Sequence, residues 1–287
     1  MQENKELLKP KIDVVFHSLF RVGNENITKA IISAVTKEKI NKIDLDNNRH
    51  ILGRYPEEKL GILDLKATLD NGTICNVEIQ LADNKDTAER FLYYWSRIYS
   101  SQLIKGEDYG KINKVIGIII IDYEFNKTRK IEDLSTKWKI REVSKGEEIE
   151  LTDVFELYII ELPKAKRILE KDASNKLAQW MLFLNNPNEK EVAKIMNENK
   201  EIKEAMNELE EMSKDKELRR VAELREKAIR DEKNGLRHAR EDGLREGIKE
   251  GIEKTNREVA KKMKEKHIPI ETIVEITKLT KEEIENL

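Results

Sequence analysis

The sequence predicts an α/β core of about 165 residues followed by an α-helical extension. Three observations predict it. Residues 60–69 and 73–81 have β-like composition and flank Asp70-Asn71-Gly72, a strong hairpin signal. Residues 114–125, KVIGIIIIDYEF, are a near-continuous Val/Ile run, the pattern of a strand buried on both faces. Beyond Pro163 every periodic segment is helical.

In chain order, the first helix is expected at 11–20, after a Pro10 well placed near a helix start, with Val14, Val15, Leu19 and Phe20 on one side. A second helix, 26–37, carries Ile27, Ile31, Ala34 and Val35 on one stripe. The hairpin follows. Residues 84–105 then predict a helix capped by Asn84 or Asp86 and closed by Gly106. After the 114–125 strand comes one more, 156–162, ended by Pro163. Residues 176–186 still carry core-sized side chains.

Charged residues make up 38% of the 287, well above a globular average of about 25%. The excess lies in 214–254, with 13 Lys/Arg and 11 Asp/Glu in 41 positions alternating as on a long solvated helix. Glycine recurs there every four residues, at Gly243, Gly247 and Gly251. Each costs a helix about 1 kcal/mol against alanine, so close approach of a partner helix is the preferred explanation and a frayed arm the alternative. The tail predicts two short helices around Leu279-Thr280, with Thr280 and Glu283 as a capping box. The divisions are therefore a core at 1–165, a helical extension packing on it at 166–212, the charged arm at 213–255 and a small helix-turn-helix-like tail at 256–287.

A net charge of −2 carries no whole-chain signature of a basic nucleic-acid binder, and a single cysteine, Cys75, excludes an intramolecular disulfide framework. No apolar run approaches the roughly 18 residues of a membrane span, and the N-terminus lacks a signal core. The expectation is a cytoplasmic, soluble protein without membrane partners. No Walker A, dinucleotide fingerprint, HExxH or zinc spacing is present, so no small-molecule cofactor is expected. The four histidines are too scattered for a metal cluster, and Cys75 is expected to be a buried apolar side chain.

Two acids stand out, because each interrupts an apolar strand: Asp64 in GILDLKA and Glu78 in NVEIQ. If the turn centres on Asn71, the partner of residue i falls near 142 − i, so Asp64 lies opposite Glu78, with the side chains roughly 5 Å apart. Like charges opposite one another are destabilising and call for a cation. A hard divalent ion such as Mg²⁺ fits two carboxylates. The alternative is an exposed face on which Lys66 or another lysine neutralises the pair.

The order helix, hairpin, helix, with Asp64 and then Glu78-Ile79-Gln80, resembles the PD-(D/E)xK nuclease superfamily, and specifically its Rpn-type branch of recombination-promoting nucleases and transposase-like proteins. The likeness runs through KPKIDVVFHSLF, ILDLKA, NVEIQ, RFLYYWSRIYSSQLIKGEDYGKINKVIGIIII, IIELPK, WMLFL and the Gly-periodic arm with its IETIVEITKLTKEEIENL ending. It implies a restriction-endonuclease-like core, a mixed sheet flanked by helices, that hydrolyses DNA phosphodiesters with Mg²⁺ or Mn²⁺. It implies that Asp64, Glu78 and the Ile79 carbonyl hold the metal, although Leu63 replaces the superfamily's proline. Gln80 falls where most of the superfamily has an activating lysine, and the branch itself tends to show glutamine there. Gln80 brings no charge, so Lys66, Arg90 or Lys11 is left to supply it. Asp13 matches a position the branch shares and is either an outer carboxylate of the site or a surface acid.

Arg90, Tyr94 and Arg97, with Tyr93 nearby, interleave basic and aromatic groups as a DNA-contacting helix does, unless Phe91, Trp95 and Ile98 pack on the sheet and leave the arginines solvated. Residues 127–145 hold seven Lys/Arg against three acids, a modest electrostatic footprint. The expected protein is a metal-dependent DNA endonuclease, dimeric or higher through its arm. The alternatives are a catalytically inactive DNA-binding or regulatory relative and a purely structural interaction protein, which leaves the acid pair unexplained.

Overall fold

The structure, a computed structural model, describes residues 6–46, 50–51, 61–62, 64–83, 86–145 and 149–287. They divide into two units, residues 1–229 and 230–287.

The first unit opens with α1 (Asp13–Leu19) and α2 (Glu25–Thr36). Strands β1 (Ile43–Leu45), β2 (His50–Ile51), β3 (Gly61–Ile62), β4 (Leu65–Leu69) and β5 (Ile74–Gln80) follow. Next come α3 (Thr87–Ser100), β6 (Val115–Ile121), β7 (Ser135–Trp138) and β8 (Phe155–Glu161). Helices α4 (Ala165–Lys171), α5 (Lys176–Asn185), α6 (Lys190–Glu198) and α7 (Lys200–Met212) complete its core, and α8 (Lys216–Glu265) starts in it. One six-stranded mixed sheet has the order β1-β4-β5-β6-β8-β7, and β2 pairs with β3 separately. β5, β6 and β8 run parallel, and the remaining pairs of the large sheet are antiparallel.

The hairpin has the register the turn predicts: Leu65 pairs with Val77, Lys66 with Asn76 and Ala67 with Cys75. Gly72 makes the turn with φ +82°, a conformation that favours glycine, and a Cβ there would stand 2.8 Å from Asn113 Oδ1. The strand expected over 60–69 is interrupted, with Asp64 directly before β4. Leu60, Leu63 and Asn84, the other N-cap candidate, lie outside the described residues.

β6 is buried along its whole length, as its Val/Ile composition demands. Ile116, Ile118 and Ile120 join Val77 and Tyr158 in a core that contains Phe16, Ile31, Trp180 and Phe183. On the other face Ile119 and Ile121 pack with Phe155, Leu157 and Phe91 of α3. The one glycine in the run, Gly117, leaves room for Leu157, whose Cδ1 would lie 2.8 Å from an added Cβ.

α3 ends at Ser100, short of the expected 105. Gln102 bonds the Asn113 main chain in both directions, donating to its carbonyl at 3.1 Å and accepting from its amide at 2.9 Å. That clamp turns the chain back towards β6. Edge strands β1 and β7 carry no strand signal in the sequence, because IDL and STKW are too short and polar to show alternation. Asn175 and Asn199 cap α5 and α7, accepting from Ala178 N and Ile202 N.

In the second unit α8 continues to Glu265, followed by α9 (Ile270–Thr277) and α10 (Lys281–Glu285). The capping box at Thr280 and Glu283 is formed. Ala260, Ile273, Leu279 and Ile284 make its small core. Among the described residues no helix is long and apolar enough to cross a membrane.

Candidate active site

Strand alternation puts Asn76, Glu78 and Gln80 on the α3 side of β5, because Cys75 and Val77 belong to the opposite core. All three polar side chains are buried. Glu78 is 6% exposed, and Asn76 Nδ2 donates to its Oε1 at 3.2 Å. Burial first, and the Asp64 charge second, push the Glu78 carboxyl well above its ordinary range, against the pull of Asn76, the Asp64 main chain and Arg90. Asp64 is drawn to the same strand: its Oδ2 accepts from Ile79 N at 2.8 Å. The two acids that the hairpin count pairs are therefore electrostatic neighbours.

Gln80 sits at the end of β5. Its Nε2 donates to Ala82 O at 2.9 Å and to Thr87 Oγ1 at 3.4 Å, and its Oε1 accepts from Arg90 Nη2. Thr87 Oγ1 shares a further hydrogen bond of 3.0 Å with the Tyr123 hydroxyl. Arg90 stands in the first turn of α3, its Cζ 5.5 Å from the Phe91 ring centre. Burial raises the Tyr94 phenol, with the Glu78 and Asp64 charges adding to the rise and the Arg90 charge opposing it.

Asp13 borders a cleft of about 550 Å³ whose lining includes Asp64, His17, Asp215 and Arg225. Arg225 Nε is 3.4 Å from Asp13 Oδ2. Lys11 bonds Asp122 at 3.1 Å and Asn185 at 2.8 Å, and Lys66 bonds Asp46 at 2.8 Å. Both lysines are thus engaged with other partners, whereas Arg90 is bound at Gln80. Arg97 lies in the last turn of α3. Phe91 and Ile98 are buried against the sheet, as the packing alternative requires, and Arg90 still reaches Gln80 from the same helix.

Three residues of this cluster escaped sequence reasoning. Asn76 is legible in retrospect, two residues before Glu78 on one strand face. Thr87 and Tyr123 have no sequence signal, since only the packing of α3 on the sheet brings them to Gln80. The basic stretch 127–145 is partly neutralised by acids beyond it: Lys137 and Lys139 lie 3.0 and 3.5 Å from Glu156, and Lys139 and Arg141 lie 2.8 and 3.5 Å from Glu150.

The donor set suits a hard cation. Glu78, buried with its charge disfavoured, neighbours the Asp64 charge and accepts from Asn76, whose Oδ1 is buried with no hydrogen-bond partner among the described residues. No group of three or more His, Cys, Asp or Glu side chains placed to hold a metal ion occurs among those residues, so an ion here would take neutral oxygens and water besides the two acids.

A mixed sheet with flanking helices, in which Asp64 lies directly before β4 and bonds the antiparallel strand that carries Glu78-x-Gln80, fits a nuclease-type α/β fold. The chain belongs to the PD-(D/E)XK nuclease family transposases, whose family model matches residues 10–239. Neither the comparison with curated proteins nor that with solved structures returned a match.

Proposed function

We propose that this protein is a divalent-metal-dependent DNA endonuclease, active in recombination or transposition. The observation that carries the reading is the hydrogen bond from Ile79 N to Asp64, which sets Asp64 beside the strand that bears buried Glu78, so that a cation between the two acids would offset their repulsion. Asp64, Glu78 and the Ile79 carbonyl are the proposed ligands, with Mg²⁺ preferred and Mn²⁺ a substitute. Such an ion supplies a water of lowered pKa and withdraws charge from the scissile phosphate. Asp13 borders the cleft that Asp64 lines, which supports a role for it as an outer carboxylate. Tyr94 and Arg97 on α3, with Lys11 and Lys66, are the proposed DNA contacts.

Membership of a nuclease family supports nuclease chemistry on nucleic acid. DNA as substrate, the cytoplasm as location and a homodimer as the working form are parts of this proposal. Leu244, Ile248 and Ile252 are exposed on α8 beside Gly243, Gly247 and Gly251, whose surroundings are open, and this supports association through the arm.

A second reading, a catalytically inactive DNA-binding or regulatory relative, is favoured by one feature, the neutral Gln80 in place of a lysine. Plasmid nicking decides between them. The endonuclease nicks with Mg²⁺ or Mn²⁺, stops in EDTA and is lost in Asp64→Asn and Glu78→Ala. Nicking by those variants at the wild-type rate overturns the site, and metal-dependent binding without nicking favours the second reading.

A further inference from the structure

We infer that Arg90 is the cation that contacts the substrate phosphate, and that Gln80 is the residue that positions it. The inference rests on the endonuclease reading and deepens it.

The Gln80 amide has only one orientation compatible with its neighbours. Ala82 offers a carbonyl oxygen, which can only accept, so the Gln80 nitrogen must face it. Arg90 offers N–H groups, which can only donate, so the Gln80 oxygen must face the guanidinium. Both amide hydrogens are then used, on Ala82 O at 2.9 Å and Thr87 Oγ1 at 3.4 Å. Gln80 has no donor left for a phosphate oxygen or an attacking water. What it offers the site is an acceptor, and that acceptor holds Arg90.

Arg90 has spare capacity. A guanidinium carries five N–H donors in a fixed plane, and its Nε is buried without a hydrogen-bond partner among the described residues. A buried unsatisfied donor on a permanent cation is costly and marks a group built to receive something. The charge of Arg90 reaches both Glu78 and Tyr94. A phosphate oxygen arriving at the guanidinium would meet its remaining N–H donors, and a small shift of the side chain would open Nε to the acceptor it lacks. The positive charge that a strand lysine would deliver from position 80 thus enters from the first turn of α3, one element away. It stays aimed because Gln80 is itself fixed by Ala82, Thr87 and, through Thr87, Tyr123.

The test compares full-length wild type with Arg90→Ala, Arg90→Lys, Gln80→Ala and the double variant Gln80→Lys/Arg90→Ala. Plasmid nicking in Mn²⁺ is expected to fall about 10²–10³-fold in Arg90→Ala, the range for loss of one preorganised donor. Mn²⁺ binding by titration calorimetry is retained in that variant, so the loss of nicking is not a loss of metal. Arg90→Lys and the double variant recover at least roughly tenfold over Arg90→Ala, since each returns a cation to the site. Gln80→Ala loses less than Arg90→Ala. Binding of a short duplex in Ca²⁺, which needs no cleavage, should show a salt slope shallower by about one in Arg90→Ala.

Nicking by Arg90→Ala within about twofold of wild type, or an unaltered salt slope in Ca²⁺, overturns the inference and leaves the endonuclease reading standing. Loss of activity that no lysine restores, with a lowered melting temperature, makes Arg90 structural and also overturns it. A wild type that nicks with neither ion withdraws the endonuclease reading, and the inference for catalysis goes with it. The duplex-binding slope then still reports whether Arg90 touches phosphate.

Discussion

Asp64 Oδ2 accepts the Ile79 amide hydrogen at 2.8 Å, tying the residue before β4 to the strand that bears Glu78. The bond holds one acid beside the other although Asp64 lies outside the ladder that begins at Leu65 and Val77. The negative charge gathered here has consequences that can be measured without substrate.

The Glu78 carboxyl is raised well above 4.5 by burial and by Asp64. Between the ordinary carboxyl range and that higher value the folded chain holds a proton that the unfolded chain has lost, so stability falls as pH rises through this window. Glu78→Gln removes the effect. In EDTA at pH 8 the variant should be more stable than wild type by about 1–4 kcal/mol, with the gap closing towards pH 4. Melting temperatures across pH report it. Equal curves at both ends contradict the electrostatic account.

Glu156 is the opposite case. Burial works against its charge, but hydrogen bonds from Lys114, Lys137 and Tyr158 outweigh it and hold the carboxyl at about 2. Its stabilisation is present above the unfolded carboxyl range and is lost as pH falls towards about 2. Glu156→Gln leaves Lys114, Lys137 and Lys139 facing one another and should cost about 3 kcal/mol at pH 7. Urea unfolding at pH 7 and at pH 3 should show the difference between variant and wild type shrinking in acid.

Cys75, the second residue of β5, is buried, and burial, aided by Glu38, pushes its thiol up to about 12. The native protein should therefore ignore a thiol reagent such as an aromatic disulfide at pH 8, and the thiol should react fully in urea. Rapid labelling of the native chain would mean that the strand opens locally.

The arm glycines separate two effects. Apart from the helix's own adjacent backbone, no described atom lies within 4 Å of a Cβ added at Gly243, Gly247 or Gly251, so alanine is accommodated at each. Replacing all three should strengthen the helix by about 1 kcal/mol per site, visible as higher helicity by circular dichroism. If the arm is the proposed dimer contact, the same variant should associate less tightly in sedimentation. Higher helicity with unchanged association removes the glycines from the interface.

The hairpin was legible because its information is local. The residues at 70–72 set the turn, the turn sets the register that begins at Leu65 and Val77, and that register brings Asp64, one residue before the ladder, to the strand that bears Glu78. The two-sided burial of β6 was legible for a similar reason, since its composition alone states it. The Arg90–Gln80 bond could not be ranked above Lys66 or Lys11 from sequence. It depends on the angle at which α3 crosses the sheet, and no periodicity encodes that. The short edge strands β1 and β7 were missed because their pairing comes from neighbours rather than from their own residues.

The turn that joins β4 and β5 also bears on how this chain can change over generations. Many substitutions at its exposed positions leave the acids where they are. Gaining or losing one residue between Leu69 and Ile74 does not, because side chains alternate along a strand, and a single step would send Glu78 into the apolar core and bring Val77 or Ile79 to the α3 face. Drift at this turn is therefore open in letter at Asp70 and Asn71, closed at Gly72 and bound in length: an insertion or deletion of one residue there parts the two acids.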